Sequence, residues 1–147
     1  MSEVLYWEDV SNGMELPPLI KYPTTQQLVK YAGASGDFYQ IHYDTEFATN
    51  NDLPGVIIHG ALKNAFLGQL LTDWVGEFGS VRKLNCQYRG MDFPGDTLTC
   101  KGVVTKMYQD KGQYLVDCDI WLENGKGEKT TPGNATVSLP SRQASKS

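Results

Sequence analysis

Ala61-Leu62-Lys63-Asn64-Ala65-Phe66-Leu67-Gly68-Gln69-Leu70-Leu71-Thr72-Asp73-Trp74 is the stretch on which the fold turns. Leu62, Phe66 and Leu70 form one i, i+4 row, and Leu67, Leu71 and Trp74 form another beside it. Two adjacent apolar rows give a wide buried face, so the spacing predicts a central helix and not a surface one. At roughly 1.5 Å per residue it spans on the order of 20 Å. Gly76 and Gly79 close it off.

Upstream, Thr24 stands three residues before Gln27, the spacing of a capping box. Leu28, Tyr31, Ala32 and Ser35 then predict a helix with one buried stripe, and Gly36 is its C-terminal cap. Before it, Pro17-Pro18 blocks a helix, so Asn12 to Pro18 reads as a turn and an extended approach. Asp44 can cap a short helix through Phe47 and Ala48, and Asn50 to Gly55 is a loop by composition. Downstream, Ser80–Tyr88, Asp96–Tyr108, Gln113–Leu122 and Glu128–Leu139 suit strands. In the third, Tyr114, Val116, Cys118, Ile120 and Leu122 share one face, while Asp117 and Asp119 lie on the other with Leu115 and Trp121. Turn signals at Phe93-Pro94-Gly95-Asp96, Asp110-Lys111-Gly112 and Asn124-Gly125-Lys126-Gly127 separate them. Helices followed by consecutive antiparallel strands indicate α+β. One long apolar helix is buried only if the sheet curls around it. The expected fold is therefore a hot-dog, a curved antiparallel sheet wrapping a central helix.

The chain has 147 residues, 40% hydrophobic and 20% charged, enough for one packed domain over 1–140. The small polar tail over 141–147 is expected to be disordered. A net charge of −4 argues against nucleic acid or an anionic membrane as the main partner. No stretch approaches the roughly 20 apolar residues of a membrane helix, and Glu3, Glu8 and Asp9 argue against a signal peptide. The odd set Cys86, Cys100 and Cys118, without a CxxC pair, reads as buried free thiols in a reducing cytoplasm. With two histidines in the chain and no cysteine pair, no metal or other cofactor is expected.

The sharpest chemical feature is Ser35-Gly36-Asp37-Phe38-Tyr39-Gln40-Ile41-His42. A carboxylate and an imidazole five residues apart leave a helix end in one loop. Such a pair can hold a water molecule, because the carboxylate accepts its hydrogen bond and the imidazole gives or takes a proton near neutral pH. The second feature is Pro54-Gly55-Val56-Ile57-Ile58-His59-Gly60, directly before the central helix. The Gly60 amide at a helix N-terminus is an open donor, suited to a thioester oxygen as it becomes enolate-like. Equally, Gly60 can serve only the turn. His59 is read as structural, facing the core or bonding to the loop.

Together these segments resemble the MaoC-like family of (R)-specific enoyl-thioester hydratases and 3-hydroxyacyl-thioester dehydratases, which are hot-dog proteins. The family motif Gly-Asp-x-Asn-Pro-x-His is similar to Gly36-Asp37-Phe38-Tyr39-Gln40-Ile41-His42, with Tyr39-Gln40 in place of Asn-Pro. Asp44-Thr45-Glu46-Phe47-Ala48, Val56-Ile57-Ile58-His59-Gly60 and Phe93-Pro94-Gly95-Asp96 resemble three further family elements. The likeness runs from Glu15 to Leu139. Over Tyr22 to Tyr88 it is greatest to the catalytic subunits of two-subunit dehydratases of long-chain fatty acid elongation.

The resemblance implies that Asp37 and His42 are the catalytic pair and that the Gly60 amide binds the thioester oxygen. It implies an acyl-CoA or acyl-carrier-protein thioester as substrate, and a homodimer or heterodimer of hot-dog subunits. Gly68 stands where some members carry a serine, and the Tyr39-Gln40 departure points to a changed loop or a wider acyl site. Two alternatives remain open. One is an acyl-thioester hydrolase using Asn64 or Asp73, and the other is a non-catalytic acyl-binding subunit. Lys63, Arg82, Lys83 and Arg89 are read as solvated surface, or else as contacts for CoA phosphates or an acidic carrier.

Overall fold

The computed structural model describes residues 3–143. A 3-10 turn (Trp7–Asp9) and a short strand β1 (Leu19–Lys21) lead into helix α1 (Thr25–Ser35). Thr24 caps α1: its Oγ1 accepts a hydrogen bond from the Gln27 amide at 3.1 Å. Gly36 ends the helix at φ +77°, a left-handed conformation that any side chain would strain. Of the expected stripe, Leu28 and Ala32 are buried, Tyr31 is half-buried and Ser35 is exposed. Helix α1 therefore rests on the core by a narrow edge. Helix α2 (Thr45–Asn50) is capped by Asp44, whose Oδ1 accepts from the Phe47 amide at 3.1 Å.

Helix α3 (Gly60–Val75) follows, and the sheet curls around it. Strands β2 (Ser80–Cys86), β3 (Leu98–Asp110), β4 (Gln113–Glu123) and β5 (Lys129–Ser138) pair antiparallel, in the order β1-β3-β4-β5-β2. Lys111 and Gly112, with φ +52° and +81°, make the tight turn between β3 and β4. Register shifts at Val81/Lys83 in β2 and Val104/Lys106 in β3 bend the strands and add twist, as bulges do. Helix α3 packs against β2, β3, β4 and β5, and Lys21 of β1 reaches over the ring of its Phe66. Leu62, Phe66, Leu67, Leu70, Leu71 and Val75 meet Val104, Val116, Cys118, Ile120, Leu122, Ala135 and Val137 in one buried cluster. This is the hot-dog arrangement.

Three details differ from expectation. Strand β1 was not foreseen: three residues after two prolines give no periodicity, and β1 pairs only with β3, through Leu19 to Lys21. Trp74 is half-buried, and Val75 fills the last core position of α3. The start of the supposed tail is held in place. Ser141 is buried and donates to Glu8 Oε2 at 2.8 Å, and Arg142 pairs with Asp9 at 2.9 Å. The acidic N-terminal turn thus captures it, and the rest of that expectation, 144–147, lies outside the described residues. Among the described residues no helix is long and apolar enough to cross a membrane.

Candidate active site

The loop after α1 is shaped by its own side chains. Ser35 Oγ accepts from the Asp37 amide at 3.2 Å, and Asp37 Oδ1 accepts from the Tyr39 amide at 3.3 Å. This is an Asx-type turn, which orients the carboxylate without burying it. A 3-10 turn (Gln40–His42) then carries His42 inward, where it is 7% exposed. Its Nδ1 lies 2.8 Å from the Ile57 carbonyl oxygen. A carbonyl only accepts, so Nδ1 carries the hydrogen, and in the neutral ring Nε2 keeps a free lone pair. That Nε2 stands 3.9 Å from Asp37 Oδ2, beyond direct hydrogen-bond length. The Asp37 side chain is 49% exposed, so solvent reaches the pair from the carboxylate side.

His59 lies beneath them. It is fully buried and stacked on His42, with ring centroids 3.8 Å apart and planes 20° from parallel. Its Nε2 is 3.4 Å from the Asp37 carbonyl oxygen, and its Nδ1 has no partner. Tyr31 meets its ring edge-on at 4.8 Å. Burial holds the His59 imidazole below the usual histidine range, and the neighbouring His42 adds to the effect. Asp37, His42 and His59 offer ligand atoms within 4.8 Å of one another. A metal ion, however, needs lone pairs that converge at roughly 2.0–2.1 Å. Near-parallel stacked rings direct theirs side by side, so this arrangement does not suit an ion.

Gly60 opens α3 directly after His59, which makes no side-chain capping bond. The first-turn amides have no intrahelical partner there. A Cβ at Gly60 would lie 3.0 Å from the Tyr88 ring, so any larger residue must push that exposed ring aside by a few tenths of an ångström. Asn64, one turn on, accepts a hydrogen bond from Cys86 Sγ at 3.2 Å, while Asp73 is exposed towards the far end of the helix.

Lys63 departs from both expectations for it. It is 2% exposed, and its Nζ donates to Asp92 Oδ2 and to the Gly90 carbonyl, each at 3.0 Å. Thr130 Oγ1 also donates to Asp92 Oδ2, while Asp92 Oδ1 is buried without a partner. Arg82, Lys83 and Arg89 are exposed. The structure brings Asp37 and His42 to one end of α3, where Gly60 stands, and His59 is buried and bonded to the loop as expected; its stacking under His42, Tyr88 against Gly60 and the Lys63–Asp92 pair were not foreseen. The one available signal was the adjacency of His59 to Gly60.

A family model described as a MaoC like domain matches residues 12–119. The fatty acid synthase subunit beta of Saccharomyces cerevisiae is 33% identical over 131 residues, covering 84% of the chain and 6% of that protein. The chain thus spans a small fraction of the fungal synthase subunits it matches. The 3-oxo-4,17-pregnadiene-20-carboxyl-CoA hydratase beta subunit of Mycobacterium tuberculosis is 24% identical over 132 residues, covering 90% of the chain and 97% of that protein. Among solved structures, an (R)-hydratase from A. caviae involved in PHA biosynthesis superposes with a TM-score of 0.83 at 23% identity. That match covers 90% of the chain and 99% of the hydratase.

Proposed function

The chain belongs to the MaoC-like domain family, and on that premise we propose that it is an (R)-specific hydro-lyase. It interconverts a trans-2-enoyl thioester and a 3-hydroxyacyl thioester, carried on CoA or on an acyl carrier protein. Asp37 and His42 are its acid–base pair, and the Gly60 amide is the donor to the thioester oxygen.

The observation that carries this proposal is the fixed tautomer of His42. With Nδ1–H on the Ile57 carbonyl, the free Nε2 lies across a 3.9 Å gap from Asp37 Oδ2. One water oxygen at roughly 2.8 Å from each spans such a gap. In hydration that water gives up a proton as its oxygen bonds to C3. The C2–C3 electrons move towards the thioester oxygen, which gains charge against the Gly60 amide. C2 then takes a proton, so the pair removes one proton and returns one. Dehydration is the reverse. Phe38 (60% exposed), Tyr39 (57%) and Tyr88 (54%) flank these groups as apolar surface. That surface supports docking of a second hot-dog subunit, a copy of this chain or a related one.

The test is hydration of a panel of trans-2-enoyl-CoAs followed by absorbance, with product chirality determined and thiol release measured in parallel. The wild type is expected to form the (R)-3-hydroxyacyl product without releasing thiol. Asp37→Asn and His42→Gln should each lose activity by roughly 10²–10⁴-fold with an unchanged circular dichroism spectrum. Thiol release would favour the hydrolase, and undiminished function in both variants would leave an acyl-binding subunit.

A further inference from the structure

Outside the pair itself, His59 is the titratable side chain that touches both of its members. Its three contacts go to separate parts of the site. One ring face lies 3.8 Å from the His42 ring. The Nε2 atom sits 3.4 Å from the Asp37 carbonyl oxygen, which can only accept, so Nε2 carries the hydrogen. Tyr31, from the helix that leads into the Asp37 loop, closes on the ring from the side at 4.8 Å. The remaining nitrogen, Nδ1, is buried with no partner. A proton added there would create a buried, unpaired charge beside His42, a costly state. His59 is therefore a flat, neutral block with one donor. That donor reaches the backbone of one proposed catalytic residue while the ring face supports the side chain of the other.

We propose that His59 is a positioning residue. Its ring face seats the His42 imidazole and its Nε2–H anchors the Asp37 backbone, so one buried side chain sets the spacing of the pair. This inference rests on the proposed hydro-lyase function. Touching no substrate, His59 acts only through the two groups above it. Two interactions with different chemistry make the role separable. His59→Phe keeps a flat buried ring under His42 and removes the donor. His59→Gln keeps an amide donor at a similar reach and removes the stacking face.

The experiment measures kcat and KM for trans-2-enoyl-CoA hydration in the wild type and both variants, with melting temperatures alongside. Imidazole 15N NMR of His42 supplies a readout independent of turnover. Misplacement of catalytic groups by about 1 Å can cost roughly 10²-fold, so each variant is expected to lose about ten- to a hundred-fold in kcat, with KM within about twofold. The His42 signals should move from one Nδ1–H tautomer in the wild type towards a mixture in His59→Gln. Wild-type kcat in both variants, or a loss confined to KM, overturns the proposal. So does an unaltered His42 tautomer in a folded His59→Gln protein. A wild type inactive towards every enoyl thioester would defeat the hydro-lyase assignment instead, and the NMR comparison would still decide whether His59 seats His42.

Discussion

His59 couples protonation to stability at the scale of a single residue. Its folded-state pKa is lowered, chiefly by burial. The unfolded chain titrates that imidazole near its ordinary value of roughly 6.5, so below that pH the unfolded state binds the extra proton. Stability is therefore expected to fall as pH drops through about 6.5, and a melting-temperature series from pH 7.5 to 5.5 in the wild type and His59→Phe measures it. The variant should show the shallower slope. At this scale sequence and structure part in an instructive way. Asp37 and His42 were legible because five residues of one loop keep them close. The contact from His59 to Asp37 spans 22 positions and depends on how α3 enters the core. Lys63 was misread for a similar reason, since a lysine defaults to the surface unless a partner is known, and Asp92 lies 29 residues away.

Among the elements, α3 carries the core and, at its first turn, the Gly60 amide of the candidate site. The Lys63–Asp92 pair fixes its first turn to the segment ahead of β3, with the Gly90 carbonyl and Thr130 completing the cluster. Both side chains are removed from solvent, at 3% and 0% exposure. Removing one partner strands the other charge. Lys63→Met is expected to destabilise the protein by about 3–5 kcal/mol, and Lys63→Met combined with Asp92→Leu should recover much of that. Urea unfolding of the single and double variants makes the comparison. The helices and long strands were readable because capping chemistry and hydrophobic period agree in them. Thr24, Gly36 and Asp44 all cap where their residue types predict. Strand β1 has no period to display, and its existence depends on β3 presenting an edge.

Across the whole molecule, the fold class was recoverable because one helix is apolar on so wide a face that only a wrapped sheet can cover it. The packing also sorts the three free cysteines. Cys100 and Cys118 are buried between α3 and the sheet, and burial pushes each thiol up to about 12, while Cys86 is half-buried beside Asn64. Native-state alkylation at neutral pH followed by mass spectrometry should modify Cys86 first. Cys100 and Cys118 should react only on unfolding, because the thiolate is the nucleophile.

The same wrapped architecture leaves a place where it is indifferent to change. A Cβ at Gly68 would meet nothing nearer than Leu84 Cδ1 at 3.9 Å. Alanine there would displace no neighbour and would regain the roughly 0.5–1 kcal/mol that a mid-helix glycine forfeits. A single codon can thus alter a half-buried face of the central helix without disturbing what surrounds it, and leave the scaffold firmer than before.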